Sequence, residues 1–137
     1  MNKTWKTHIL NRIEVFNRIW KSLEDLNSPV IVEGKRDTKA LRNLGFSGII
    51  IELNDGNSVL STVEHIVHRF GRRSIFVVLT DWDRTGGSLA KQLKKYGESC
   101  DLIPNLRIRQ KLSVLSSKDI TCIEELPTFV STLKSEI

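Results

Sequence analysis

Three short apolar runs punctuate the chain, and each is followed by a segment with helical periodicity. The runs are Val30-Ile31-Val32, Ile49-Ile50-Ile51-Glu52-Leu53 and Ser74-Ile75-Phe76-Val77-Val78-Leu79-Thr80. Apolar residues at consecutive rather than alternate positions fit strands covered on both faces. Residues 37–44, 58–70 and 88–96 read as helices, opened by Asp37, Ser58 and Ser88, with Gly45 and Gly71 closing the first two. Asn54-Asp55-Gly56 reads as a turn. Strand and helix in alternation call for parallel strands joined by right-handed crossovers, because a tight turn cannot connect a parallel pair. The expectation is an α/β fold: a mostly parallel sheet of about four strands flanked by helices, Asp101-Leu102-Ile103 being the candidate fourth strand.

Upstream of the sheet, residues 3–27 read as one long amphipathic helix. Trp5, Ile9, Ile13, Phe16, Trp20, Leu23 and Leu26 recur at steps of three and four, and Asn27-Ser28-Pro29 stops the pattern. This stripe is expected to pack on the core. A protein-partner or homodimer surface is the alternative, since two tryptophans are costly to leave in water. Downstream, a basic helix over 107–115 and a short last helix over 127–133 make a C-terminal helical extension. The organisation reads as 1–27, an N-terminal helix on the core; 28–103, the core itself; and 104–137, the extension. Repeats and low-complexity segments are absent.

Composition narrows the class. The chain has 137 residues, one domain's worth, with 39% hydrophobic and 27% charged residues. No apolar run approaches the roughly 18 residues that span a bilayer. The first residues are polar and lack an apolar signal core. Cys100 and Cys122, the two cysteines, are too few for a disulfide framework and read as reduced thiols, so a cytoplasmic location is expected. The net charge of +5 is unevenly spread: residues 84–118 hold eight basic and two acidic side chains, while 119–137 hold one and four. A solvated helix face explains such a stretch unless phosphate chemistry lies beside it.

Acids at the strand ends suggest that it does. In an open parallel sheet, sites form beyond the carboxyl ends of the strands. Glu33 follows the first run, and Asp81 and Asp83 follow the third. With neighbouring strands about 4.8 Å apart, three carboxylates can converge there. Such a cluster repels itself unless a divalent cation neutralises it, and oxygen ligands without His or Cys suit magnesium, with manganese as the alternative. The spacing of Asp81 and Asp83 lets both face one side. Gly86-Gly87 would let the loop bend and a phosphate approach the backbone, the amides opening the following helix would favour an anion, and Gly34 would let Lys35 turn over the site. Metal, phosphate and lysine together are the arrangement for phosphoryl transfer.

The segment from Val30 through Glu33-Gly34-Lys35-Arg36-Asp37, followed by Val77-Val78-Leu79-Thr80-Asp81-Trp82-Asp83-Arg84-Thr85-Gly86-Gly87, resembles a Toprim domain. That Rossmann-like fold is shared by topoisomerases, bacterial-type primases and the ribonuclease that matures 5S ribosomal RNA. The Glu-Gly and Asp-x-Asp motifs occur in order, 48 positions apart, and the likeness covers about residues 28–103. It implies that Glu33 is a general acid or base or a metal ligand, and that Asp81 and Asp83 coordinate magnesium. Lys35 and Asp37 match residues that contact phosphate or support the site, and Lys35 joins Glu33, Asp81 and Asp83 in the candidate catalytic set. Arg84 and Gly86 match residues frequent after the acidic pair. Arg36, Gly87, Lys91, Lys94 and Lys95 complete the candidate phosphate and nucleic-acid contacts. Trp82 departs from the small residues or proline frequent at its position.

The resulting expectation is a magnesium-dependent phosphodiester enzyme, a nuclease of the RNA-maturation type acting on structured RNA or DNA. A non-catalytic nucleic-acid-binding or assembly module is the alternative, and primase-like nucleotidyl transfer a third. Tyr96, the one tyrosine, falls inside a predicted helix, so strand passage is not expected. His65 and His68 beside Glu64 fit a solvated helix face better than a zinc site, and Cys100 has no histidine near it in sequence. Trp5 and Trp20 could stack bases, but their spacing marks them first as core.

Overall fold

The computed structural model describes residues 3–54 and 56–137. Residues 1 and 2, at the head of the N-terminal segment, and Asp55, at the centre of the expected 54–56 turn, lie outside the described residues. Four short strands form one sheet: β1 (Val30–Val32), β2 (Ile50–Glu52), β3 (Ile75–Val78) and β4 (Ile103–Asn105). Their order is β2-β1-β3-β4, and every pair is parallel, with Val30 opposite both Ile50 and Val77 and Ile75 opposite Ile103. Six helices surround them: α1 (Lys3–Leu26), α2 (Lys35–Asn43), α3 (Val59–Phe70), α4 (Arg84–Ser99), α5 (Arg107–Ser116) and α6 (Leu126–Ser135). The α/β class and the flanked parallel sheet are those expected from the apolar runs.

The sheet separates two cores, and the two-residue period of a strand sorts its side chains between them. Val30, Val32, Val77 and Leu79 meet α1, α2, α5 and α6 on one face; Ile31, Phe76 and Val78 meet α3 and α4 on the other. This double cover is why β1 is buried along its whole length. The stripe of α1 lies against the first core through Ile9, Phe16, Trp20 and Leu23, with Ile19 joining it. Trp20 stacks on Phe16 at 5.7 Å and meets the edge of Phe46 at 6.3 Å. Trp5 stands at the rim, 36% exposed. Ile123, Leu126, Phe129 and Leu133 of the last segment fill the same core, which therefore draws on residues before, within and after 28–103.

Several boundaries differ from the sequence expectation, and three of them have a clear local cause. Helix α2 begins at Lys35 rather than Asp37: Gly34 is its N-cap, and the carboxylate of Asp37 reaches back from the first turn to accept from the Gly34 N–H at 3.1 Å. Helix α4 begins at Arg84 rather than Ser88, because Asp83 caps it. The fourth strand starts at Ile103 and includes Pro104, which an edge strand tolerates since one side of its backbone is unpaired.

Candidate functional site

Strands β1 and β3 are neighbours, so the residues that leave their carboxyl ends meet. Glu33 leaves β1, and its Oε2 accepts from the backbone N–H of Asp81 at 2.8 Å. Asp81 Oδ1 accepts from the Ile123 N–H at 2.9 Å, and Asp83 Oδ1 from the Gly86 N–H at 2.7 Å. Each of these three carboxylates thus has one oxygen fixed by a backbone amide. Asp37 sits beside them, buried at the start of α2. The glycine that expectation placed in a flexible loop has a different task. Gly86 lies in the first turn of α4, where a Cβ would fall 1.8 Å from the Asp81 carbonyl oxygen. Its absence lets the helix start press against the loop, and Thr80 secures the approach by donating its hydroxyl to the Gly86 carbonyl at 2.7 Å.

The acids feel one another. Burial raises the pKa of Glu33 above the usual carboxylate value; the Asp81 amide opposes this, and the charges of Asp81, Asp83 and Asp37 add to it. Burial likewise raises Asp81, with the charges of Asp83 and Glu124 adding to the shift and hydrogen bonds from the Ile123 amide and Glu33 opposing it. Asp37 is raised by burial and by the charge of Asp81, against its bonds to backbone amides. A positive charge stands among them: Arg109 of α5 donates from Nε to the Thr80 carbonyl at 2.9 Å and from Nη2 to the Asp81 carbonyl at 2.7 Å. Burial lowers the pKa of this guanidinium, and the charges of Asp83, Glu33 and Asp81 counter the shift.

Arg109 belongs to a wider clamp that sequence reasoning missed. The Trp82 backbone N–H donates to the Thr121 carbonyl and its indole N–H to the Ile120 carbonyl, both at 2.8 Å. With the Ile123 amide on Asp81, the segment after α5 holds the β3–α4 loop along its length. Trp82, which departs from the small residue or proline expected at its position, is an anchor of this loop and packs on the first core. Glu124 adds an acid near Asp37 and Asp81 and pairs at 3.7 Å with Arg36, both side chains being exposed. No local pattern marks Arg109 or Ile123 as partners of this loop, because they lie 28 and 42 positions from Asp81.

The remaining candidates are more scattered. Lys35 and Arg84 are exposed at the first turns of α2 and α4, and Gly87 lies 3.9 Å from the Arg109 guanidinium, measured from an added Cβ. Lys91, Lys94 and Lys95 are exposed on α4, Lys95 lying 5.9 Å from the Tyr96 ring. The basic stretch 84–118 is divided by the sheet: its α4 half covers one face and its α5 half the other. His65 and His68 are exposed on α3. Burial pushes the Cys122 thiol up to about 11, which keeps it protonated at neutral pH.

Among the described residues, no group of three or more His, Cys, Asp or Glu side chains is placed so that it could hold a metal ion. Chemically, however, the donor set suits a hard divalent ion. Glu33, Asp81 and Asp83 each carry a second oxygen beyond the one held by an amide, and Glu33 and Asp81 are raised first by burial, with neighbouring acids adding a repulsion that a cation would relieve.

No family model matches the chain. A UPF0292 protein of Methanosarcina barkeri is 39% identical over 132 residues, covering 89% of this chain and 90% of that one. A UPF0292 protein of Methanosarcina acetivorans is 34% identical over 139 residues, covering 90% of each chain. One of Thermococcus gammatolerans is 37% identical over 111 residues, covering 81% of this chain and 80% of its own. Among solved structures, a protein from Aquifex aeolicus superposes with a TM-score of 0.65 at 23% identity, covering 80% of this chain and 95% of that one, which is a likeness of fold. Among the described residues no helix is long and apolar enough to cross a membrane. The identity with full-length relatives places the chain in a family: it belongs to the UPF0292 proteins.

Proposed function

We propose that this protein carries out magnesium-dependent phosphodiester chemistry on nucleic acid, as a nuclease of the Toprim type acting on structured RNA or DNA. The observation that carries the reading is the meeting of Glu33, Asp81 and Asp83 at the carboxyl edge of β1 and β3, with Arg109 behind them. Glu33, Asp81 and Asp83 would hold magnesium or manganese, which when bound supplies Lewis-acid neutralisation of phosphate oxygens. Glu33, raised by burial and by its acidic neighbours, is suited to exchange a proton with water or a leaving oxygen. Lys35, exposed at the first turn of α2, would offer positive charge to a phosphate. The motif pair that resembles Toprim domains contributes the same residues from sequence.

A second reading has its own support. Each of the three acids is already engaged by a backbone amide, and Asp83 is an N-cap, which suits a loop built for rigidity in a binding or assembly module. Incubating labelled structured RNA and DNA with wild type and Asp81→Asn, with and without magnesium, separates the two. Cleavage that requires both the metal and Asp81 is expected. Tight binding without turnover in every arm would replace the nuclease with the module.

A further inference from the structure

Helices α1 and α5 lie side by side, and their outer surfaces enclose a groove of about 1070 Å³. Two features of its lining coexist. Arg12, Arg18, Arg107, Lys111 and Lys118 surround it, with Asp119 the one carboxylate. Asp119 is matched by Arg12 at 3.0 Å, and Arg18 meets Glu14 at 3.6 Å. Among the described residues, no ion pair engages Arg107, Lys111 or Lys118. Aliphatic residues share the lining: Val15 and Val114, 38% and 78% exposed, with Ile19 and Leu115.

The positions on α5 follow its helical period. Arg107, Lys111 and Val114 fall at steps of three and four, away from the buried Ile108, Leu112 and Ser116, and Lys118 follows just beyond the end of the helix. The helical part of this face is therefore a ridge of cation, cation, valine, about two turns long. Val114 is 78% exposed, so a polar residue there would cost the fold little.

We propose that this groove is a docking site for an acidic amphipathic helix of a partner protein. Charge complementarity selects an acidic occupant, and the exposed valines select one with an apolar stripe, the helix-in-groove mode of recognition. A polynucleotide backbone would satisfy the lysines and leave the valines uncovered. A second copy of this chain fits poorly: its last helix, α6, carries no carboxylate and turns Leu126, Phe129, Val130 and Leu133 into its own core. The inference is independent of the chemistry at Glu33 and Asp81.

The test uses a synthetic peptide of about four helical turns, glutamate on one face and leucine on the other, labelled for fluorescence anisotropy with the full chain. A scrambled peptide of identical composition and a labelled RNA duplex are the controls. The expected result is binding about tenfold or more tighter for the amphipathic order than for the scramble, weakened about tenfold by Lys111→Glu and by Val114→Ser. Both substitutions are at exposed positions, and circular dichroism checks that the fold persists. Equal binding of the two peptides, or indifference to Val114→Ser, overturns the proposal. So does RNA binding that exceeds the peptide's and depends on Lys111 alone, which assigns the groove to a polyanion. Self-association abolished by Lys111→Glu would assign it to a second copy and overturn it equally.

Discussion

A methyl group on Gly86 would lie within the van der Waals shell of the Asp81 carbonyl, 1.8 Å from its oxygen, and neither partner is a side-chain tip that could swing aside. Its neighbour Gly87 is different, because an added Cβ there meets only the Arg109 guanidinium at 3.9 Å, ordinary contact. Both are helical glycines, so propensity alone predicts a gain of up to about 1 kcal/mol for alanine at either. Gly86→Ala should instead lose about 1–3 kcal/mol through overpacking, while Gly87→Ala should be neutral or stabilising. Urea midpoints at unchanged slope read the difference. Equal effects would mean that the helix start and the acidic loop can separate freely. The sequence suggested glycine for loop bending, because Asp83-Arg84-Thr85-Gly86-Gly87 looks like a turn. That the segment is the first turn of a helix depends on Asp83 acting as a cap, a choice the local pattern leaves open.

At the scale of elements, the strands were legible and their supports were not. Strands β1 and β3 declare themselves because a doubly covered strand must be apolar at every position, and the acids beyond them stand out by contrast. Helix α5 reads as a basic surface helix, yet Arg109 within it turns inward to the Thr80 and Asp81 carbonyls. A forked guanidinium makes these two bonds at once, and an ammonium on a flexible stem does not reproduce the geometry. Arg109→Lys is therefore expected to cost about 1–2 kcal/mol despite keeping the charge, with Arg109→Ala costing at least as much. A more local readout is hydrogen exchange at the Trp82 indole, held by the Ile120 carbonyl. If Arg109 and the 120–123 segment clamp one loop together, exchange there should speed up in both variants. Faster global unfolding with no preferential change at Trp82 would reduce Arg109 to a general packing residue.

Across the whole molecule, a chain with a net charge of +5 gathers Glu33, Asp37, Asp81 and Asp83 at one edge of its sheet. Glu33, Asp37 and Asp81 are all raised above their ordinary values of 4.5, 3.8 and 3.8. A carboxyl whose pKa is higher folded than unfolded binds more protons in the native state across that gap. Its contribution to stability is therefore complete below the ordinary value and lost as pH rises through the raised one. Without metal, these three acids should make the protein less stable toward neutral pH. Self-repulsion of a basic chain acts the other way on acidification, so the comparison is with Glu33→Gln, whose melting temperature should fall less between about pH 4 and 6. A divalent ion at the edge reverses the sign: magnesium should raise the melting temperature of the wild type, more at pH 7 than at pH 5, because it replaces protons on the same oxygens. Asp81→Asn should lose most of that rise. A magnesium response that is flat with pH, or equal in Asp81→Asn, would place the ion elsewhere and leave the acids as a strained loop anchor. A response confined to the wild type would make the charge excess at this edge the reason the metal binds.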